Sequence, residues 1–234
     1  MKRAILLVAS LILISTVASA GPNWQALTLS ITPENLPTVL TALDELMTKI
    51  EPGDTGSAAL MVSVAGGDSS HVFISSFESR AAREAWSAKL NPSKAWTKYS
   101  KTTAGLIERG GSSRMDVVKS WGDESNKDVF WEIYSFTVTD PAALSAALDT
   151  FLASDTGKKF PGQVHLSAIA AAGPSASTHV ISVGFESEAE AEAWGDSLST
   201  SEDWTSYQKA TGGVSSFTGA YMIRSIATWG DSDE

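Results

Sequence analysis

Only histidine, among ordinary side chains, changes charge near neutral pH, so acid–base or metal chemistry is sought first at the three histidines. His71 and His179 stand 108 positions apart, and each opens a segment that continues in apolar residues. A histidine at the mouth of an apolar cavity can bind haem or a metal, or move a proton. It can equally be a structural ring bonded to nearby backbone. His165 has no histidine counterpart, because Ala58 or Ala59 lies opposite. The second set is aromatic. Trp96, Tyr99, Trp204 and Tyr207 suit either a ligand pocket or a core. Lys101 and Lys209, with Thr103 and Thr211, fall in what reads as a loop before a last strand, where a lid would sit. No metal site is expected, and no cysteine is present, which excludes thiol catalysis, Cys-ligated zinc and disulfides. Nucleophile elbows, P-loops, dinucleotide fingerprints and HExxH motifs are absent.

These candidates come in pairs because the chain is written twice. Residues 71–123 align with 179–231 without a gap and share 21 of 53 identities. Phe77-Glu78-Ser79 falls on Phe185-Glu186-Ser187, and Trp121-Gly122-Asp123 on Trp229-Gly230-Asp231. Trp24 and Trp131 match at an offset of 107, so all eight tryptophans form four pairs. The expected units are residues 21–125 and 126–234.

Each copy predicts the order β-α-β-β-α-β. Trp24–Ile31 and Trp131–Val138 are rich in strand formers. Helices should follow, with Thr32 as cap and Pro33 first in one copy, and Asp140 and Pro141 in the other. Gly-containing turns at 65–68 and 172–175 predict hairpins. Ser187-x-x-Glu190 reads as a capping box, and Ser93 and Ser201 as caps of one further turn. The last strands are expected over Arg114–Trp121 and Met222–Trp229. That order is the split βαβ, or ferredoxin-like, unit. The strands look apolar on both faces, so two such units should pack sheet to sheet.

A short basic start, an apolar run over 4–17 and Ala18-Ser19-Ala20 form a signal-peptide pattern, cleaved after Ala20. The expectation is a secreted or periplasmic protein with no membrane contact after cleavage. Without Lys2 and Arg3, the remaining 15 basic and 27 acidic residues give −12. That charge argues against nucleic acid.

The βαββαβ order, Phe-Glu-Ser followed by Trp86 or Trp194, and the later Trp-Thr-x-Tyr resemble the dimeric α/β barrel superfamily, which includes antibiotic-biosynthesis monooxygenases and NIPSNAP-like proteins. The resemblance implies an α+β fold in which the tandem repeat is a fused, intramolecular pseudo-dimer. It makes a cofactor-independent monooxygenase or haem-handling enzyme using His71 or His179 one expectation. No Asn recurs between the copies, so the haem-degrading set of His and Asn does not carry over. The leading expectation is an exported protein that binds a small apolar or aromatic molecule, without catalysis or cofactor. The third is a structural or self-associating protein with filled lobes.

Two charge patterns carry structural expectations. Asp116 and Arg224 occupy equivalent positions and should pair across the pseudo-two-fold axis. Arg80, Arg83, Lys89 and Lys94 correspond to Glu188, Ala191, Ser197 and Glu202, an asymmetry that could support head-to-tail self-association.

Overall fold

The computed structural model describes residues 21–53, 55–122, 127–173 and 175–230. The signal-peptide pattern lies outside them. The first unit runs β1 (Asn23–Ile31), α1 (Leu36–Met47), β2 (Gly56–Ala65), β3 (His71–Phe77), α2 (Arg80–Leu90), α3 (Lys94–Thr102) and β4 (Ile107–Gly122). The second runs β5 (Phe130–Val138), α4 (Pro141–Leu152), a 3-10 turn over Gly157–Lys159, β6 (Gln163–Ala171), β7 (His179–Phe185), α5 (Glu188–Leu198), α6 (Glu202–Thr211) and β8 (Ser215–Gly230).

All eight strands form one closed antiparallel barrel in the order β1-β3-β2-β8-β5-β7-β6-β4. The two sheets do face each other, but edge pairing is what joins them. β2 pairs with β8 and β4 with β6, so closure leaves no exposed edge. β4 and β8 each span 16 residues, twice the expected length. The first part of β4 pairs with β1 and its last part with β6 of the other unit. Gly110 and Gly111, which read as loop residues, lie inside this strand. A Cβ at Gly110 would come within 2.3 Å of Thr28 Oγ1, so a larger residue there would have to turn that hydroxyl aside.

Alternation sorts the strand side chains into two layers. Trp24, Met61, Val72, Met115, Ile133 and Ile223 fill the barrel. Leu29, Leu60 and Phe77 face α1 and α2 with Val39, Leu46 and Trp86. Leu166 and Ile181 face α4 with Leu144 and Leu148. The strand exchange also stitches the helix layers. Trp229 packs in the first unit's cluster with Nε1 donating to Asp44, and Trp121 packs in the second unit's with Nε1 donating to Asp149.

Helix starts follow their caps, with one exception. Asp140, Ser79, Ser187, Ser93 and Ser201 each accept a backbone N–H three residues on. The first helix begins later than Thr32 and Pro33 suggested. Asn35 precedes it without a side-chain cap, and Pro37 occupies its first turn. Residues 33–35 form a separate turn in which Thr32 O accepts from Asn35 N and Leu36 N.

Asp116 and Arg224 do not pair with each other. Both point to the helix layer of their own unit, where Asp116 accepts from Arg80 and Arg224 donates to Glu188 at 2.6 Å. Equivalent positions thus carry the same tether with its charges exchanged.

Candidate functional site

His71 and His179 open β3 and β7 and are 4% and 7% exposed. His71 Nδ1 lies 2.8 Å from Ser70 Oγ, which accepts from Ile31 N at 2.8 Å. His179 Nδ1 lies 2.9 Å from Thr178 Oγ1, which accepts from Val138 N at 2.9 Å. Each ring and hydroxyl fastens the inner hairpin strand to β1 or β5. His71 Nε2 is buried without a partner. Burial lowers the pKa of both rings, which favours the neutral form. His165 sits elsewhere, stacked on Trp131 at 5.6 Å, with Nδ1 2.8 Å from Ser120 Oγ.

The aromatic set packs against the helices. Trp96 and Tyr99 stack at 5.3 Å on the first core. Trp204 and Tyr207 stack at 5.0 Å, and both contact Phe151. Burial pushes Tyr207 up to about 12, which keeps its phenol neutral. The opening beside Tyr99, between α1 and α3, holds about 10 Å³, room for about one water. Lys101 and Lys209 are exposed on α3 and α6 rather than in a loop. Thr103 and Thr211 donate to Tyr99 O and Tyr207 O and close the ends of those helices. These residues do not converge with the histidines on a common opening.

A larger opening lies where α2 begins over the β1–β4 ladder, beside the end of β6. It holds about 100 Å³ and is lined by Asn23, Arg80, Arg83, Arg114, Asp116 and the Ala170–Ala171 edge, with Met115 behind. Register brings these residues together: Asn23 faces Asp116, Gln25 faces Arg114, and Arg114 faces Ala171. Ser79 caps α2, so Arg80 and Arg83 sit in its first turn, where the helix dipole is positive. Arg80 engages Asp116. Arg83 and Arg114 make no ion pair among the described residues. Burial lowers the Arg83 pKa, and the guanidiniums of Arg114 and Arg80 lower it further, against weaker opposition from Asp116 and Glu84. Asn23 is 3% exposed, with Nδ2 donating to Phe77 O at 3.4 Å and Oδ1 unpartnered.

The second unit fills the equivalent place with apolar side chains. Phe130, Ala191 and Met222 stand where the first has Asn23, Arg83 and Arg114, and they cluster with Phe185. The repeat exposes the exchange of Arg83 for Ala191 in the sequence. Asn23 and Arg114 are not singled out there, although their replacement by Phe130 and Met222 is visible in the same alignment.

Among the described residues no three His, Asp or Glu side chains could hold a metal ion, and no helix is long and apolar enough to cross a membrane. No protein-family profile and no curated protein matches the sequence. Solved structures do match over nearly the whole chain. A proposed monooxygenase from Lactobacillus acidophilus NCFM aligns with TM-score 0.64 and 10% identity, covering 89% of this chain and 96% of its own. An anthrone oxidase-like protein gives 0.56 and 14%, covering 90% and 94%. A haem-binding protein from Thermus thermophilus gives 0.54 and 12%, covering 88% and 92%. At such identities the likeness is one of fold. Closure by β2–β8 and β4–β6, two βαββαβ units and these matches together show that the chain has the dimeric α/β barrel fold, with both halves supplied by one polypeptide.

Proposed function

We propose that this protein binds a small anion in the cleft of its first unit and does so without catalysis. The observation that carries the reading is the pair of guanidiniums, Arg83 and Arg114, that share one opening and make no ion pair among the described residues. Like charges that share one opening repel each other, and an anion relieves that cost. Arginine forks also match oxyanion edges better than a point charge does.

The apolar-ligand expectation gives way to this one because aromatic side chains occupy both helix–sheet lobes. Trp86 lies 5.4 Å from Phe77, and Phe160 contacts both Phe185 and Trp194. Haem does not fit His71 or His179. Each ring is buried, at 4% and 7% exposure, and the 100 Å³ cleft lies at other residues, so neither ring opens onto room for a macrocycle. Ligand pockets for molecules of drug size run from about 300 to 1,000 Å³. The monooxygenase and haem readings therefore rest on likeness of fold, which does not carry function by itself.

Export remains part of the proposal, supported by the basic start, apolar run and Ala18-Ser19-Ala20. N-terminal sequencing of the exported protein should begin at Gly21, and retention of Met1 would contradict it.

The binding test is thermal denaturation with added anions at fixed ionic strength. At ten times Kd an anion adds about 1.4 kcal/mol, a rise of roughly 3–6 °C. Arg83→Gln with Arg114→Gln should abolish the rise. An equal rise in the double variant would reject the cleft as the site.

A further inference from the structure

Four charged side chains meet at the cleft, and their arithmetic specifies the ligand. Arg80 and Asp116 cancel, since Arg80 Nε donates to Asp116 Oδ1 at 3.2 Å and Nη2 to Oδ2. The second unit keeps that tether as Glu188 and Arg224 with the signs exchanged, which marks it as a structural link between helix and strand. Arg83 and Arg114 are different. Their counterparts are Ala191 and Met222, so their two charges are an addition made in one unit only. Glu84, one residue further along α2, is exposed and opposes the neighbouring guanidiniums only weakly.

A monovalent carboxylate would leave one of those charges unmatched. A divalent oxyanion matches both, and each of its edges can accept from one guanidinium fork. About 100 Å³ suits a compact group of a few heavy atoms, and the opening lets any organic remainder project into solvent. The start of α2 adds a positive dipole end on the same side.

We infer that the cleft takes a divalent tetrahedral oxyanion, inorganic phosphate or the terminal phosphate of a monoester, with Arg83 and Arg114 as its two guanidinium ligands. The inference rests on the anion-binding reading above.

Calorimetric titration of the mature chain with inorganic phosphate, a simple alkyl phosphate and acetate, at constant ionic strength, tests it. Phosphate or its monoester should bind at least tenfold more tightly than acetate. Arg83→Gln and Arg114→Gln should each weaken it about tenfold or more, while Lys89→Gln, further along α2, should leave it unchanged. Far-ultraviolet circular dichroism shows whether each variant is folded, and Arg114, being exposed on its strand, is the safer of the two. Tighter binding of the monoester identifies a phosphorylated metabolite as the ligand, and tighter binding of inorganic phosphate identifies the free ion. Both outcomes support the inference. Acetate binding as tightly as phosphate would overturn it while leaving anion binding intact. Failure of every anion to bind would overturn both. Loss of binding in Lys89→Gln equal to that in the arginine variants would show a diffuse electrostatic effect and overturn the assignment of the two ligands.

Discussion

The two units share a backbone plan and differ in what they place at the start of the second helix. In the first, polar Asn23 and two arginines border an opening. In the second, Phe130, Ala191 and Met222 close it. The units share the hydroxyl–histidine pairs and the tryptophans that reach the opposite helix layer. A fused dimer is free to do this. Two identical chains must carry the same site twice, whereas a tandem chain can keep one half as scaffold and open the other.

The largest expected effect separates filled from open. Phe130→Ala should cost about 3–5 kcal/mol in urea denaturation, because Phe130 is 1% exposed in an apolar cluster. Asn23→Ala should cost about 1 kcal/mol or less, since it removes one long hydrogen bond and an unsatisfied oxygen. Equal losses would mean that Asn23 is as structural as Phe130 and would break the contrast.

The seams should behave alike. Gly122 and Gly230 have φ of +100° and +86°, and a Cβ would come within 2.1 Å of Gly162 O and 2.4 Å of Gly56 O. Gly122→Ala and Gly230→Ala should each cost about 1–3 kcal/mol or more. A loss in only one would show that closure is not symmetric.

Acid should weaken the fold through positions common to both units. His71 and His179, and His165 besides, have pKa values lowered by burial. The unfolded chain then binds more protons than the folded one, so this contribution is present above about pH 6.5 and is lost as pH falls through the folded values. Asp128, whose pKa burial raises, acts in the opposite sense at lower pH. Melting temperature followed from pH 8 to pH 5 should fall, and His71→Gln with His179→Gln should flatten the curve. A flat wild-type curve would contradict the buried, neutral histidines.

The smallest effect concerns the exchanged tethers. Arg80→Glu should lower the melting temperature by about 1–2 °C or more, because Arg80 is 47% exposed while its partner Asp116 is only 19% exposed. Adding Asp116→Arg should restore it by copying the polarity of Glu188 and Arg224. If the double variant is no better than the single, the tether depends on more than the two charges.

Much of the fold was legible because the repeat doubles every local signal. Asp140 with Pro141, and Ser93 with Ser201, state their helix starts in side-chain chemistry. What escaped was non-local. Gly110 and Gly111 resemble a loop, yet pairing with β1 holds them in a strand whose other end serves the opposite unit. Asp116 and Arg224 looked like partners across an axis, but the pleat turns them toward their own helices. The cleft was least visible of all. Arg83 and Arg114 are separated by a helix and a turn, and only the β1–β4 register and the packing of α2 bring them to one opening. The signal available was their replacement by small or apolar residues in the other copy.

The most direct test of the contrast between the units is an amide ¹H–¹⁵N titration of the protein with inorganic phosphate at constant ionic strength. The account predicts saturable shifts at Asn23, Arg83 and Arg114, with Phe130, Ala191 and Met222 unmoved. Shifts of equal size at both sets, or shifts confined to exposed lysines across the surface, would contradict it.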